Sequence, residues 1–192
     1  MAVSVGVLAL QGDFEAHSGM LARVGARACR VRTPDDLAGL DALIMPGGES
    51  TTMTLGMERE GLAEPLRETI EGGTPTLATC AGLIVLGRDH LGVLDITARR
   101  NAFGRQIRSF ETDLELAGLP GGPLRAVFIR APWVEDHGPD VEVLAEVEGH
   151  PVAVRQRHVM ATAFHPELTG DVRLHRWLTE QVVARDTREA VA

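Results

Sequence analysis

The chain has two cysteines, no long apolar run and no excess of basic residues, and each shortage removes a class of function. Cys29 and Cys80 stand 51 positions apart, which gives neither a metal-ligand spacing nor a disulfide framework. A free thiol in a reducing cytosol is the simplest setting for both, and a thiol there can act as a nucleophile. No stretch of about 20 apolar residues exists, so no membrane span is expected. Nineteen Lys and Arg face 27 Asp and Glu, for a net charge of -8 and a pI near 5.3. Phosphate binding needs clustered cations, so a nucleic-acid partner is not expected. Residues 1–10 are apolar but lack a basic flank and a cleavage site, so they read as a first strand, not a signal peptide. Internal repeats, low-complexity tracts and interdomain linkers are also absent from the sequence.

What is present is a globular composition, 44% hydrophobic and 24% charged, over 192 residues. One domain spanning 1–192 is expected. Apolar runs at 4–10, 29–31, 42–45 and 76–79 read as buried strands. Between them, residues 13–24 carry apolar side chains at helical spacing, and Gly25 supplies a stop. Thr33-Pro34-Asp35-Asp36 is a helix start, and helices are expected at 51–60, at 64–71 and from Ala81. Strand and helix alternating at this spacing predict a three-layer, doubly wound α/β domain with a mostly parallel sheet. Residues 92–130 read as mainly extended. Residues 141–148 and 152–157 read as a hairpin turning at Gly149-His150, and 159–164 as one more strand. A last amphipathic helix is expected over 171–184, with 185–192 as a frayed tail.

Three segments carry chemistry. In TLATCAGL (76–83) a cysteine stands between a strand and a helix, with small residues, Ala78 and Gly82, two positions to either side. Such a turn exposes the side chain. The helix N-terminus favours a thiolate, and the Ala81 N–H would face a developing oxyanion. The competing reading of a lone cysteine is a buried structural thiol. In FHPE (164–167), His165 and Glu167 are two apart on a segment that Pro166 keeps extended, so they would share one side, with Glu167 orienting the imidazole. The competing reading is a strand-end histidine beside a surface acid. Both Cys80 and His165 fall at the carboxyl ends of strands, where ligand sites of parallel sheets lie. The third segment, PGGESTT (46–52), also follows a strand. Its glycines, Gly47 and Gly48, can turn N–H groups toward a ligand, although a plain turn and a Ser or Thr helix cap read equally well. Glycine spacing and the missing lysine exclude a phosphate loop. Cys29 reads as core packing, and Met53 and Met57 as one face of a helix.

Cys80, His165 and Glu167, in that order and preceded by PGG, resemble the class I (triad) glutamine amidotransferases. More narrowly, the chain resembles the PdxT/SNO family, the glutaminase subunits of pyridoxal 5′-phosphate synthase. The stretches that carry the resemblance are GVLALQG (6–12), PGGESTTM (46–53), TCAGLI (79–84), NAFGRQ (101–106), VFIRAP (127–132) and FHPELT (164–169). The resemblance implies the flavodoxin-like fold of class I amidotransferases. It also implies hydrolysis of L-glutamine, with Cys80 as nucleophile, His165 as general base and then acid, and Glu167 as orienting carboxylate. Gly48, Glu49, Ser50, Arg105, Ile129 and Arg130 would contact glutamine, and Gly47, Gly48 and Ala81 would form the oxyanion hole. Gln11 would lie near that loop, toward the partner. The implied partner is a (β/α)₈-barrel synthase subunit that receives the ammonia; no metal and no cofactor is implied. Ala78 departs from the family's usual glycine, and the link from Gly87 to Gly92 is short. Another acceptor, such as imidazole glycerol phosphate synthase, and a non-catalytic binding protein on the same fold are the alternatives.

Overall fold

Short runs of consecutive apolar residues cannot hide one face only, so they are stable only where helices cover the sheet on both sides. In the computed structural model, which describes residues 2–104 and 109–189, these runs form the centre of a seven-stranded sheet. β1 (Ser4–Leu8), β3 (Ala42–Met45), β4 (Thr76–Thr79) and β11 (Val159–Thr162) are buried along their whole length. With the edge strand β2 (Arg27–Val31) they run parallel, in the order β2-β1-β3-β4-β11. The hairpin β9 (Glu142–Val147) and β10 (His150–Gln156) extends the sheet antiparallel beyond β11. Its turn is Glu148-Gly149, both at positive φ, one residue earlier than expected, because a two-residue turn of this twist needs that conformation at both positions.

α1 (Phe14–Arg23) packs on β1 and β2 and meets α5 (Arg173–Glu189), which lies against β3 and β4. α2 (Ser50–Arg59) contacts α3 (Ala63–Glu71) and α4 (Ala81–Leu86), and α4 lies against β3, β4 and β11. Met53 and Met57 are core residues of α2. Cys29 is only half-buried, because β2 is the sheet edge.

Three other expectations need correction. The segment capped by Thr33 is a single 3₁₀ turn (Pro34–Leu37), where the Thr33 N–H and hydroxyl donate to the Asp36 carboxylate and the Asp36 N–H donates to the Thr33 carbonyl. α5 continues to Glu189, past the expected end at Ala184. β8 (Trp133–His137) was not foreseen: its charged outer half hides the strand pattern. β8 pairs with β5 (Ile96–Arg99), and β6 (Ser109–Leu114) with β7 (Leu124–Ile129), as antiparallel ladders outside the main sheet. Arg105 and Gln106 lie outside the described residues.

The sheet runs one way from β1 to β2 and the other way from β1 through β3 to β4. The crevice of such a sheet opens at that reversal, beyond the carboxyl ends of the strands. The loop after β1 carries Gln11, the loop after β3 carries Gly47 and Gly48, β4 ends at Cys80, and the segment after β11 carries His165.

Candidate active site

Cys80 occupies the one-residue joint between β4 and α4 with φ 47° and ψ -105°. A non-glycine residue rarely adopts this backbone, which persists only when its surroundings impose it. Here the Cys80 N–H donates to the Thr162 carbonyl on β11 at 2.8 Å. Beyond it, α4 lies so close to β3 that a Cβ on Gly82 would overlap the Met45 carbonyl oxygen. Ala78 is fully buried in β4, level with Met45 on β3 and Ala161 on β11.

β11 pairs in parallel with β4, which sets the segment after one strand beside the segment after the other. The His165 N–H donates to the Val127 carbonyl of β7 at 2.9 Å, tying the segment to the outer hairpin. The His165 Nδ1–H donates to Glu167 Oε1 at 2.7 Å, and both side chains are buried. The route to this contact differs from the one expected. His165, at φ -107° and ψ 89°, falls short of the extended region, and Pro166–Leu168 is a 3₁₀ turn that folds Glu167 back onto the ring. Burial alone would lower the His165 pKa. The hydrogen bonds and charges of Cys80 and Glu167 outweigh it and raise the pKa to about 10, so the imidazolium persists at neutral pH.

Gly47 fits against this pair: a Cβ there would strike the His165 ring and approach the Cys80 Cβ. Gly48, at φ 144°, lies against the Gln11 side chain, and the Glu49 N–H donates to Gln11 Oε1. The helix cap of α2 is Glu49, where the sequence suggested Ser or Thr. Its carboxylate accepts from the N–H groups of Thr51 (3.1 Å) and Thr52 (2.7 Å) and pairs with Arg100 at 2.8 Å. The Thr52 and Thr51 hydrogen bonds hold the Glu49 pKa down to about 2.

These elements enclose a cleft of about 410 Å³. Gln11, Gly48, Glu49, Ser50, Cys80, Ala81, Ile129, Arg130 and His165 line it together. Gly47 and Glu167 stand behind that lining, and Arg105 lies outside the described residues. Cys80 Sγ is 4.0 Å from the Ile129 carbonyl oxygen, and Arg130 has φ 45°. Sequence reasoning gave no site role to Asp13, Ile84, Arg100, Asn101 and Pro132, which also line the cleft. Arg100 precedes the NAFGRQ stretch and was open to notice there; the cleft position of Asp13 follows from the β1–α1 connection and had no local signal. Among the described residues, Asp13, His165 and Glu167 are the one grouping of donor atoms close enough to share a cation, and the His165–Glu167 ion pair already accounts for it.

A sulfur at a helix N-terminus, an imidazolium beside it and a buried carboxylate behind that can serve as nucleophile, proton carrier and orienting group. The model of the SNO glutamine amidotransferase family matches residues 7–184. A pyridoxal 5′-phosphate synthase subunit PdxT of Acidothermus cellulolyticus is 57% identical over 195 residues, covering 94% of each chain. Another PdxT subunit, from Mycolicibacterium vanbaalenii, is 56% identical over 187 residues, covering 91% of this chain and 95% of its own. A crystal structure of a glutamine amidotransferase superposes with a TM-score of 0.88 at 49% identity, over 93% of this chain and 98% of that one. The chain therefore belongs to the SNO glutamine amidotransferase family.

Proposed function

We propose that this protein is the glutaminase subunit of a pyridoxal 5′-phosphate synthase, hydrolysing L-glutamine to L-glutamate and ammonia through a thioester on Cys80. The observation that carries the reading is the strained Cys80 joint opening onto the cleft beside the His165–Glu167 pair. The names of the 57% and 56% identical relatives support the pathway.

In the reaction, Cys80 sulfur attacks the side-chain carboxamide carbon. The oxyanion is received by the Ala81 N–H and by an N–H of the Gly47-Gly48 loop, for which Gly48 is the better placed because it lines the cleft. His165 gives its proton to the amide nitrogen as the carbon–nitrogen bond breaks and ammonia leaves. The neutral imidazole then takes a proton from water, which attacks the γ-glutamyl thioester and releases glutamate and the thiolate. Glu49, Ser50, Ile129, Arg130 and, by family resemblance, Arg105 receive the rest of glutamine. The ammonia passes to a (β/α)₈-barrel synthase subunit docked over the cleft, on the side of Gln11. Docking orders the Gly47-Gly48 loop and so governs turnover. The reaction is placed in a reducing cytosol, where the thiol stays free; no helix among the described residues is long and apolar enough to cross a membrane.

A diazoketone analogue of glutamine tests the chemistry. It should alkylate Cys80 alone, and glutamine should protect against it. Labelling of Cys29, or no labelling with the synthase subunit present, would overturn the nucleophile assignment.

A further inference from the structure

Behind the triad lies a second pair of buried histidines that the reaction above does not use. His17 of α1 and His175 of α5 are both fully buried, with His17 Nδ1 and His175 Nε2 2.9 Å apart. The other nitrogen of His17, Nε2, lies 3.4 Å from Thr79 Oγ1 and 3.6 Å from Glu167 Oε2. That carboxylate oxygen is buried and has no hydrogen bond among the described residues, while its twin is taken by His165.

The proton positions follow from what is left unpaired. His175 Nδ1 is buried without a hydrogen-bond partner. If His17 donated from Nδ1 to His175, then His175 would carry its proton on Nδ1. That would bury an orphan N–H and turn a His17 lone pair toward the carboxylate. An orphan N–H is rarer and costlier than an orphan acceptor. The opposite arrangement leaves only a ring lone pair unmatched: His175 Nε2–H donates to His17 Nδ1, and His17 Nε2–H faces Thr79 Oγ1 and, just beyond it, Glu167 Oε2. Both rings are neutral in it. Burial, then the charges of His175 and His165, hold the His17 pKa well below its ordinary value, and burial lowers that of His175 to about 4. All donors then point one way, from His175 through His17 to Glu167, and His165 donates to Glu167 from the other side.

We propose that His17 is a positioning residue of the glutaminase site. Its Nε2–H holds the second oxygen of Glu167, and His175 fixes the tautomer that makes this possible. The proposal rests on the triad reading above. The 3.6 Å separation is longer than a hydrogen bond, and catalytic contacts of this kind tighten when substrate binds. Groups that orient an orienting residue act on rate far more than on substrate affinity. The titratable groups facing the pair are His165 and Glu167 from the turn after β11 and Asp171 ahead of α5.

Three substitutions separate positioning from packing. Gln at 17 can place an N–H where Nε2 stands; Asn reaches only as far as Nδ1; Leu keeps the bulk alone. Glutamate release is measured with the synthase subunit present, together with the pH profile of Cys80 alkylation by iodoacetamide in the isolated chain. His17→Asn and His17→Leu should lower kcat about tenfold or more with KM within about twofold. Their alkylation profiles should move to higher pH, because a less well-held Glu167 supports the thiolate–imidazolium pair less. His17→Gln should recover most of both. Wild-type kcat in His17→Asn would overturn the proposal. So would equal loss in the Gln and Asn variants with an unshifted alkylation profile, which is the mark of packing alone. Absence of glutamate release from the wild type would instead reject the triad reading, and the alkylation profiles would still decide whether His17 acts on the pair.

Discussion

Each residue at the centre of the site is held by a contact that leaves little choice of side chain. Cys80 holds a backbone conformation costly for any residue but glycine, and β11 and the close approach of α4 impose it. This was legible in the sequence as small residues on either side of a cysteine between a strand and a helix. The role of Gly47 was legible only as a flexible loop residue; its real constraint is steric, against the His165 ring. Gly47→Ala should therefore displace the imidazole and lower kcat by about 10² or more, since orientation errors of this size are that costly. Its melting temperature should stay near that of wild type, and steady-state kinetics beside a thermal melt checks both. A second prediction concerns protons. With the His165 pKa raised to about 10, the proton that leaves with ammonia is in place throughout the neutral range. kcat/KM should hold from neutral pH upward and fall as pH rises through about 10. A pH–rate profile already falling near 7 would contradict this.

At the scale of elements, periodicity and turn chemistry located what local sequence controls and missed what tertiary contact controls. β3 and β4 are continuous apolar runs between turn residues, and their limits were readable. β8 was not, because Glu135, Asp136 and His137 are exposed and its ladder is with β5, distant in sequence. α5 outlasts Val182, its last buried apolar residue, and the good helix former Arg185 lets it continue. The meeting of α1 with α5 had no sequence signal at all, yet it buries His17 against His175. That contact has a consequence for stability. The folded pKa of His175 lies below its unfolded value, so the unfolded chain binds more protons and acidification favours unfolding. The loss should begin as pH falls through about 6.5 and be complete near 4, about 3 kcal/mol in all. Denaturant titrations of wild type and His175→Gln across that range check it: the variant should show a flatter dependence, and parallel curves would contradict it.

For the whole molecule, the parallel strands around the sheet reversal between β1 and β3 bring four loops to one end, and all four contribute to the candidate site. The fold class was readable from alternation, and the segments that bring Cys80, His165 and Glu167 together were readable from their local sequence. The cleft was not, because Asp13, Arg100 and Pro132 come together only through the outer ladders and the β1–α1 turn. With a formal charge of -8 and all 19 cationic side chains arginine, the surface presents guanidinium–carboxylate pairs such as Arg88 with Asp95 and Asp136. Exposed pairs of this kind contribute little each, so the buried sheet and its helices dominate stability.

The central claim joins nucleophile, reaction and acceptor, and one comparison tests all three: glutamate release from glutamine by wild type and Cys80→Ala, each with and without a pyridoxal 5′-phosphate synthase subunit. The account predicts turnover in the wild type that rises when the synthase is added and is lost in Cys80→Ala. Turnover that survives in Cys80→Ala, or a wild-type rate indifferent to the synthase, would contradict it.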